Sequence, residues 1–119
     1  MAIIVASQGI IQTLVGTEHV LTAINSAGVY VYTTDTTSLI AGDHVTFRIT
    51  EAMRSGDPLR LIYMASYANC QTTLLKASIP LVTAYQAQFT VNCTSSGVSS
   101  LSGAGSNGPQ MIWRVLNVN

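Results

Sequence analysis

Alternation with a period of two residues constrains this chain more than any other feature. Val45, Phe47 and Ile49 alternate with His44, Thr46, Arg48 and Thr50, and Ala87, Phe89, Val91 and Cys93 alternate with Gln86, Gln88, Thr90 and Asn92. Successive side chains of a strand point to opposite faces, so each run is a strand with one buried face. Further strands are predicted over residues 10–15, 19–24, 29–34, 59–67 and 111–118, with another around 81–84. Val, Ile and Thr supply 35 of the 119 residues, and β-branched side chains suit a pleated surface. Residues that tolerate turn dihedrals separate the runs, at 25–28, 35–38, 41–43 and 55–58. Pro80 marks a strand start or an edge, and only residues 50–55 have room for a helical turn. The expectation is one all-β domain over 1–119, an antiparallel β-sandwich or jelly-roll-like fold. Residues 2–15 are read as an N-terminal arm or edge strand, and 94–109 as a Ser/Gly-rich loop.

Charge is scarce and unevenly placed. Five basic and five acidic residues cancel, and charged residues make up 8% of the chain, about a third of the usual share. Nine of the ten lie between Glu18 and Lys76, and none falls in residues 1–17 or 77–113. Without a basic excess, a binder that works by neutralising nucleic-acid phosphates is not expected. A 48% apolar composition argues against disorder. No apolar run approaches the ~18 residues of a membrane span, and the first residues lack the basic start of a secretory signal. The reading is a cytosolically made or already trimmed chain with no membrane partner. Arg48, Glu51, Arg54, Asp57 and Arg60 recur every third residue, but Gly56 and Pro58 favour a hairpin tip, with Glu51 facing Arg60 across strands.

Motifs for chemistry are weak. Gly103 to Gly108 match G-x-G-x-x-G, yet a dinucleotide site needs a strand before and a helix after. Here a Ser/Gly stretch precedes the glycines, while Pro109 and a strand follow. His19 and His44 have no neighbouring metal-ligand types in sequence. Asp35, Asp43, Asp57, Glu18 and Glu51 fall mostly in or beside turns, and no nucleophile elbow is present. Cys70 and Cys93 are read as free, partly buried thiols, since nothing in their spacing requires a disulfide. Asn92-Cys93-Thr94 matches a glycosylation acceptor, read as accidental. No catalytic, cofactor-binding or metal residue is assigned, and no enzymatic activity is expected.

Surfaces are more telling. In residues 59–67, Leu59, Leu61, Tyr63, Ala65 and Tyr67 oppose Arg60, Ile62, Met64 and Ser66. Val29 and Val31 oppose Tyr30 and Tyr32, while Met111, Trp113 and Val115 oppose Ile112, Arg114, Leu116 and Val118. A sandwich strand ordinarily leaves one polar face to water. Strands apolar on both faces imply either a cover over the second face or a central place in the sandwich. The former is adopted, with Tyr30, Tyr32, Ile62, Met64 and Trp113 as the interface residues, of types favoured at interfaces.

The run Thr17-Glu18-His19, then Gly28 through Asp43, then Val45-Thr46-Phe47-Arg48-Ile49 resembles small structural proteins of tailed bacteriophages. Tyr63-Met64-Ala65-Ser66-Tyr67-Ala68 and Trp113-Arg114-Val115-Leu116 are similar to that group as well. The resemblance implies a non-enzymatic virion component made in the host cytoplasm, foremost a capsid decoration (cement) protein. Its implied partners are its own copies, trimers included, and a major capsid protein or other virion protein. A neck or tail component, or a carbohydrate- or host-binding module of a virion, is the alternative.

Overall fold

The computed structural model describes residues 3–95 and 107–118. The described strands, in chain order, are β1 (Ile3–Leu14), β2 (Glu18–Ile24), β3 (Gly28–Asp35), β4 (His44–Ala52), β5 (Arg60–Ala68), β6 (Leu75–Ala77), β7 (Leu81–Thr83), β8 (Gln86–Ser95) and β9 (Asn107–Val118). They form two antiparallel sheets packed together as a β-sandwich. A five-stranded sheet runs β1-β9-β3-β6, with β7 also on β3, and a four-stranded sheet runs β2-β8-β4-β5.

The two clearest alternating segments, β4 and β8, lie side by side at the centre of the four-stranded sheet. Phe47 pairs with Val91 and Ile49 with Phe89. Because the two patterns are in phase across this register, their apolar sets share one face. Val45, Phe47, Ile49, Phe89 and Val91 are accordingly all buried. Tyr30, Tyr32, Met111, Trp113 and Val115 meet them from the five-stranded sheet. Phe89 is the hub, with ring centroids 5.0 Å from Tyr32, 5.6 Å from Phe47 and 6.4 Å from Trp113. Trp113 lies over Gly9 on the neighbouring strand, where an added Cβ would come within 3.0 Å of the ring. An isoleucine there, like Ile10 that follows it, would displace the indole.

Turn chemistry follows expectation at two glycines that adopt positive φ, Gly42 (94°) and Gly56 (82°), where any Cβ is strained. Gly56 sits at the tip between β4 and β5, and Glu51 pairs with Arg60 as the hairpin reading requires. The possible helical turn at 50–55 does not form, because β4 continues through Ala52 before the chain turns. Within the segment 2–15, Ile3–Leu14 form β1, an edge strand paired along β9 from Ile3–Val118 to Leu14–Asn107. The expected loop 94–109 is shorter than its composition suggested, since β8 extends to Ser95 and β9 starts at Asn107. Its remainder lies outside the described residues. Short β6 was not anticipated, its three residues being too few to show a period.

Candidate interaction surface

The five-stranded sheet buries one face against its partner and turns the other outward. Register places the outward positions in rows. The first row is Ile3, Val118, Val29 and Val82; the second is Val5, Leu116 and Val31. Then come Gln8, Arg114, Thr33 and Ala77, followed by Ile10, Ile112, Asp35 and Leu75. Ile3, Val5, Ile10, Leu75, Val82 and Ile112 are all exposed, Leu75 to 71% and Val82 to 69%. Two fully aliphatic rows at one end are thus followed by one polar and one mixed row. Four strands over about eight residues make a flat projection of roughly 500 Å², of which the two aliphatic rows are about half.

The opposite exterior, on the four-stranded sheet, differs in character. Glu18, Asn92, Thr46 and Ser66 share one row, and Val20, Thr90, Arg48 and Met64 the next. Arg48 Nη1 donates to Glu18 Oε1 at 3.0 Å, and Thr46 and Ser66 hydroxyls are 3.0 Å apart. This face is mixed: Arg48 Nε, Thr90 Oγ1 and Asn92 Oδ1 have no hydrogen-bond partner among the described residues, and Val20 and Met64 are exposed beside them.

The five residues chosen from the sequence do not form one surface. Tyr30 (2% exposed), Tyr32 (4%) and Trp113 (8%) lie in the core between the sheets. Ile62 and Met64 are exposed, but on the outside of the four-stranded sheet. This corrects the assignment while leaving its premise intact: β3 and β9 are apolar on both faces, and the aromatic side is the buried one. The larger rings remove more apolar area from water than Val29 or Val31. The Tyr30 hydroxyl also keeps partners, donating to Ser26 O at 3.1 Å and lying 2.9 Å from Ser26 Oγ. Ile62 falls at a bulge, where pairing jumps from Ile49–Tyr63 to Thr50–Leu61.

The residues considered for chemistry have structural surroundings. His19 Nε2 accepts a hydrogen bond from the Leu14 backbone N–H at 3.1 Å, tying β2 to the end of β1. His44 Nδ1 lies 2.5 Å from Thr94 Oγ1. Asp43 is buried in the turn before β4, its Oδ2 accepting from Ile40 N at 2.9 Å. Cys93 is buried and Cys70 exposed, and they are not bonded to each other; burial pushes the Cys93 thiol up from its ordinary pKa. Of the glycine-rich match, residues 103–106 lie outside the described residues. Gly108 stands inside β9, so close to Thr13 Oγ1 and Cys93 Sγ that a Cβ would strike both. Its role is close packing in a strand.

Cavities tell the same story. The space among Tyr32, Phe47, Tyr63, Tyr67 and Phe89 is about 20 Å³, room for about one water. A groove of about 350 Å³ lies instead on the outer face of the five-stranded sheet, with Gln8, Asp35, Leu75, Ile112 and Arg114 among its walls. Comparison with protein-family models, curated proteins and solved structures finds no match for this chain.

Proposed function

We propose that this chain is a non-enzymatic virion structural protein, a capsid decoration (cement) protein that binds and stabilises a phage head. The observation that carries this reading is the outer face of the five-stranded sheet, where aliphatic side chains from four strands stand in register facing outward. Such a patch favours association, which takes its apolar area out of water. A net charge of zero leaves little long-range repulsion between copies packed on a shell. The sequence resemblance to small phage structural proteins points the same way. The aromatic rings that a sugar-stacking module would present, Tyr30, Tyr32 and Trp113, are instead committed to the core, which weighs against the carbohydrate-binding alternative.

Co-sedimentation with empty heads of the phage that encodes the chain tests the proposal. The wild type should pellet with the heads. Val31→Asp and Leu116→Asp should stay in the supernatant while retaining the wild-type circular dichroism. A wild type that ignores heads and is retained by a glycan column would replace this reading with the binding-module one.

A further inference from the structure

The 12 residues of β1 pair with β9 on one side. Among the described residues nothing bonds to the other side of its backbone from Ile3 to Ile11. An open edge is a template for another strand, and proteins ordinarily guard it with brevity, charge or proline. The other edges of the sandwich are guarded in this way. β6 and β7 have 3 residues each, with Lys76 in the first and Pro80 just before the second. β2 opens on Glu18 and β5 on Arg60. β1 carries neither charge nor proline. Its bulge at Ala6, where pairing passes from Val5–Leu116 to Ser7–Val115, shifts the alternation without ending the strand. Ile3, Val5, Gln8, Ile10 and Gln12 therefore face outward, and Ile4, Ser7, Gly9 and Ile11 face inward. Ile4 shares the inner side with buried Tyr30, through Asn117 between them, yet it is 53% exposed. The inner side of this edge thus lacks a cover at Ile4.

We propose that the open edge of β1 pairs antiparallel with β1 of a second copy, about a two-fold axis that passes beside Gln8, joining the two five-stranded sheets into one. A two-fold interface must be self-complementary, each contact occurring twice with roles exchanged. With Ala6 bulged, the outward positions 3, 5, 8, 10 and 12 are symmetric about Gln8. Val5 then lies opposite Ile10 of the second copy, and Gln8 opposite Gln8. On the inner side, exposed Ile4 meets Ile11 of the second copy, and Ser7 meets Gly9, two small residues that let the backbones approach. No charge from either β1 enters the contact. An antiparallel edge pair has its axis normal to the sheet, so the outer faces of both copies stay on one side. A parallel pair would turn them to opposite sides. The pairing therefore uses a surface distinct from the aliphatic rows assigned above to the shell and leaves those rows free. Along roughly 30 Å of strand it covers on the order of 400 Å² of each copy, which makes a weak dimer in solution. Attachment of both copies to one shell would strengthen it through effective concentration.

Cross-linking of the full chain tests both the edge and its register. Directly opposed residues of antiparallel strands have Cα atoms about 4.5–5.5 Å apart, within disulfide reach. In a Cys70→Ser background, which removes the exposed native thiol, Gln8→Cys should form a covalent dimer under mild oxidation. Val82→Cys, equally exposed on the outer face, should not. Val5→Cys and Ile10→Cys should each stay monomeric alone and cross-link when mixed, which keeps the test open if Gln8→Cys folds poorly. By sedimentation equilibrium the wild type should dimerise reversibly in the high-micromolar range. Gln8→Lys should weaken this roughly 3- to 10-fold, because two like charges meet at the axis, and mixing it with Gln8→Glu should restore it. A wild type that stays monomeric in that range, with Gln8→Cys no more reactive than Val82→Cys, overturns the inference. If it still binds heads, the proposed function stands; if it does not, both fall. Cross-linking of Gln8→Cys to a shell protein instead of a second copy would give the edge to that partner and refute the two-fold pairing. A dimer that cross-links through Val82→Cys would refute it as well.

Discussion

Truncating Phe89 to alanine is the severest test of the core. The ring is 3% exposed and touches three aromatic partners, Tyr32 (tilted, 58°), Phe47 (stacked, 28°) and Trp113 (edge-on, 80°). Phe→Ala in a packed core costs about 3–5 kcal/mol, and each ring pair contributes about 0.5–1.5 kcal/mol beyond its area. Three lost pairs place Phe89→Ala at the upper end, near 5 kcal/mol. Phe47→Ala loses two ring pairs, with Phe89 and Tyr67, and should cost about 3–4 kcal/mol. Since domains of this kind are stable by roughly 5–15 kcal/mol, the Phe89 variant should be near its limit at room temperature. Phe89→Leu, which refills much of the space, should lose about 1–2 kcal/mol. Urea unfolding followed by fluorescence provides the assay, because the single tryptophan, Trp113, lies beside the altered site. A loss below about 2 kcal/mol for Phe89→Ala, or a larger loss at Phe47 than at Phe89, would refute the hub.

Alkaline pH should act through Tyr32, whose hydroxyl is pushed up to about 12 from 10.0, chiefly by burial and secondarily by Tyr30 and Glu51. The unfolded chain ionises first, so this stability is whole below about pH 10 and is lost as pH rises through about 12, by up to roughly 3 kcal/mol. Urea midpoints of Tyr32→Phe should therefore fall less than those of wild type over that window, and equal falls would argue against the assignment. Gly108→Ala drives a methyl group into Thr13 and Cys93 and should cost about 1–3 kcal/mol in thermal unfolding; an unchanged melting temperature would contradict that close approach. The Arg48–Glu18 pair is exposed at both ends (43% and 40%), so a double-mutant cycle should return less than about 1 kcal/mol, shrinking with salt.

Much of the sandwich was legible because local chemistry and tertiary packing agree. In β4 and β8 one face is apolar and the other polar, so periodicity alone determines both strand and buried side. The hairpin tip at Gly56 and the turn at Gly42 were readable because only a few residue types accept their backbone. The place of Trp113 had a faint signal in Gly9, a residue without a side chain inside an apolar run. Its meaning depends on a cross-strand pairing with a residue more than a hundred positions away, which no local pattern contains. The groove beside Arg114 and Asp35 is likewise assembled from β1, β9, β3 and β6.

On its own, the sequence determined that this chain is built of strands, roughly where they run, that β4 and β8 bury their Phe faces, and that β3 and β9 have two apolar sides. Tertiary structure alone decided which of those two sides is inside. Alternation carries phase but no sign when both faces are apolar. In β3 and β9 the sign comes from fit against a core already occupied by Phe47 and Phe89, which accepts the rings of Tyr30, Tyr32 and Trp113 and leaves Val29, Val31 and Leu116 to face outward.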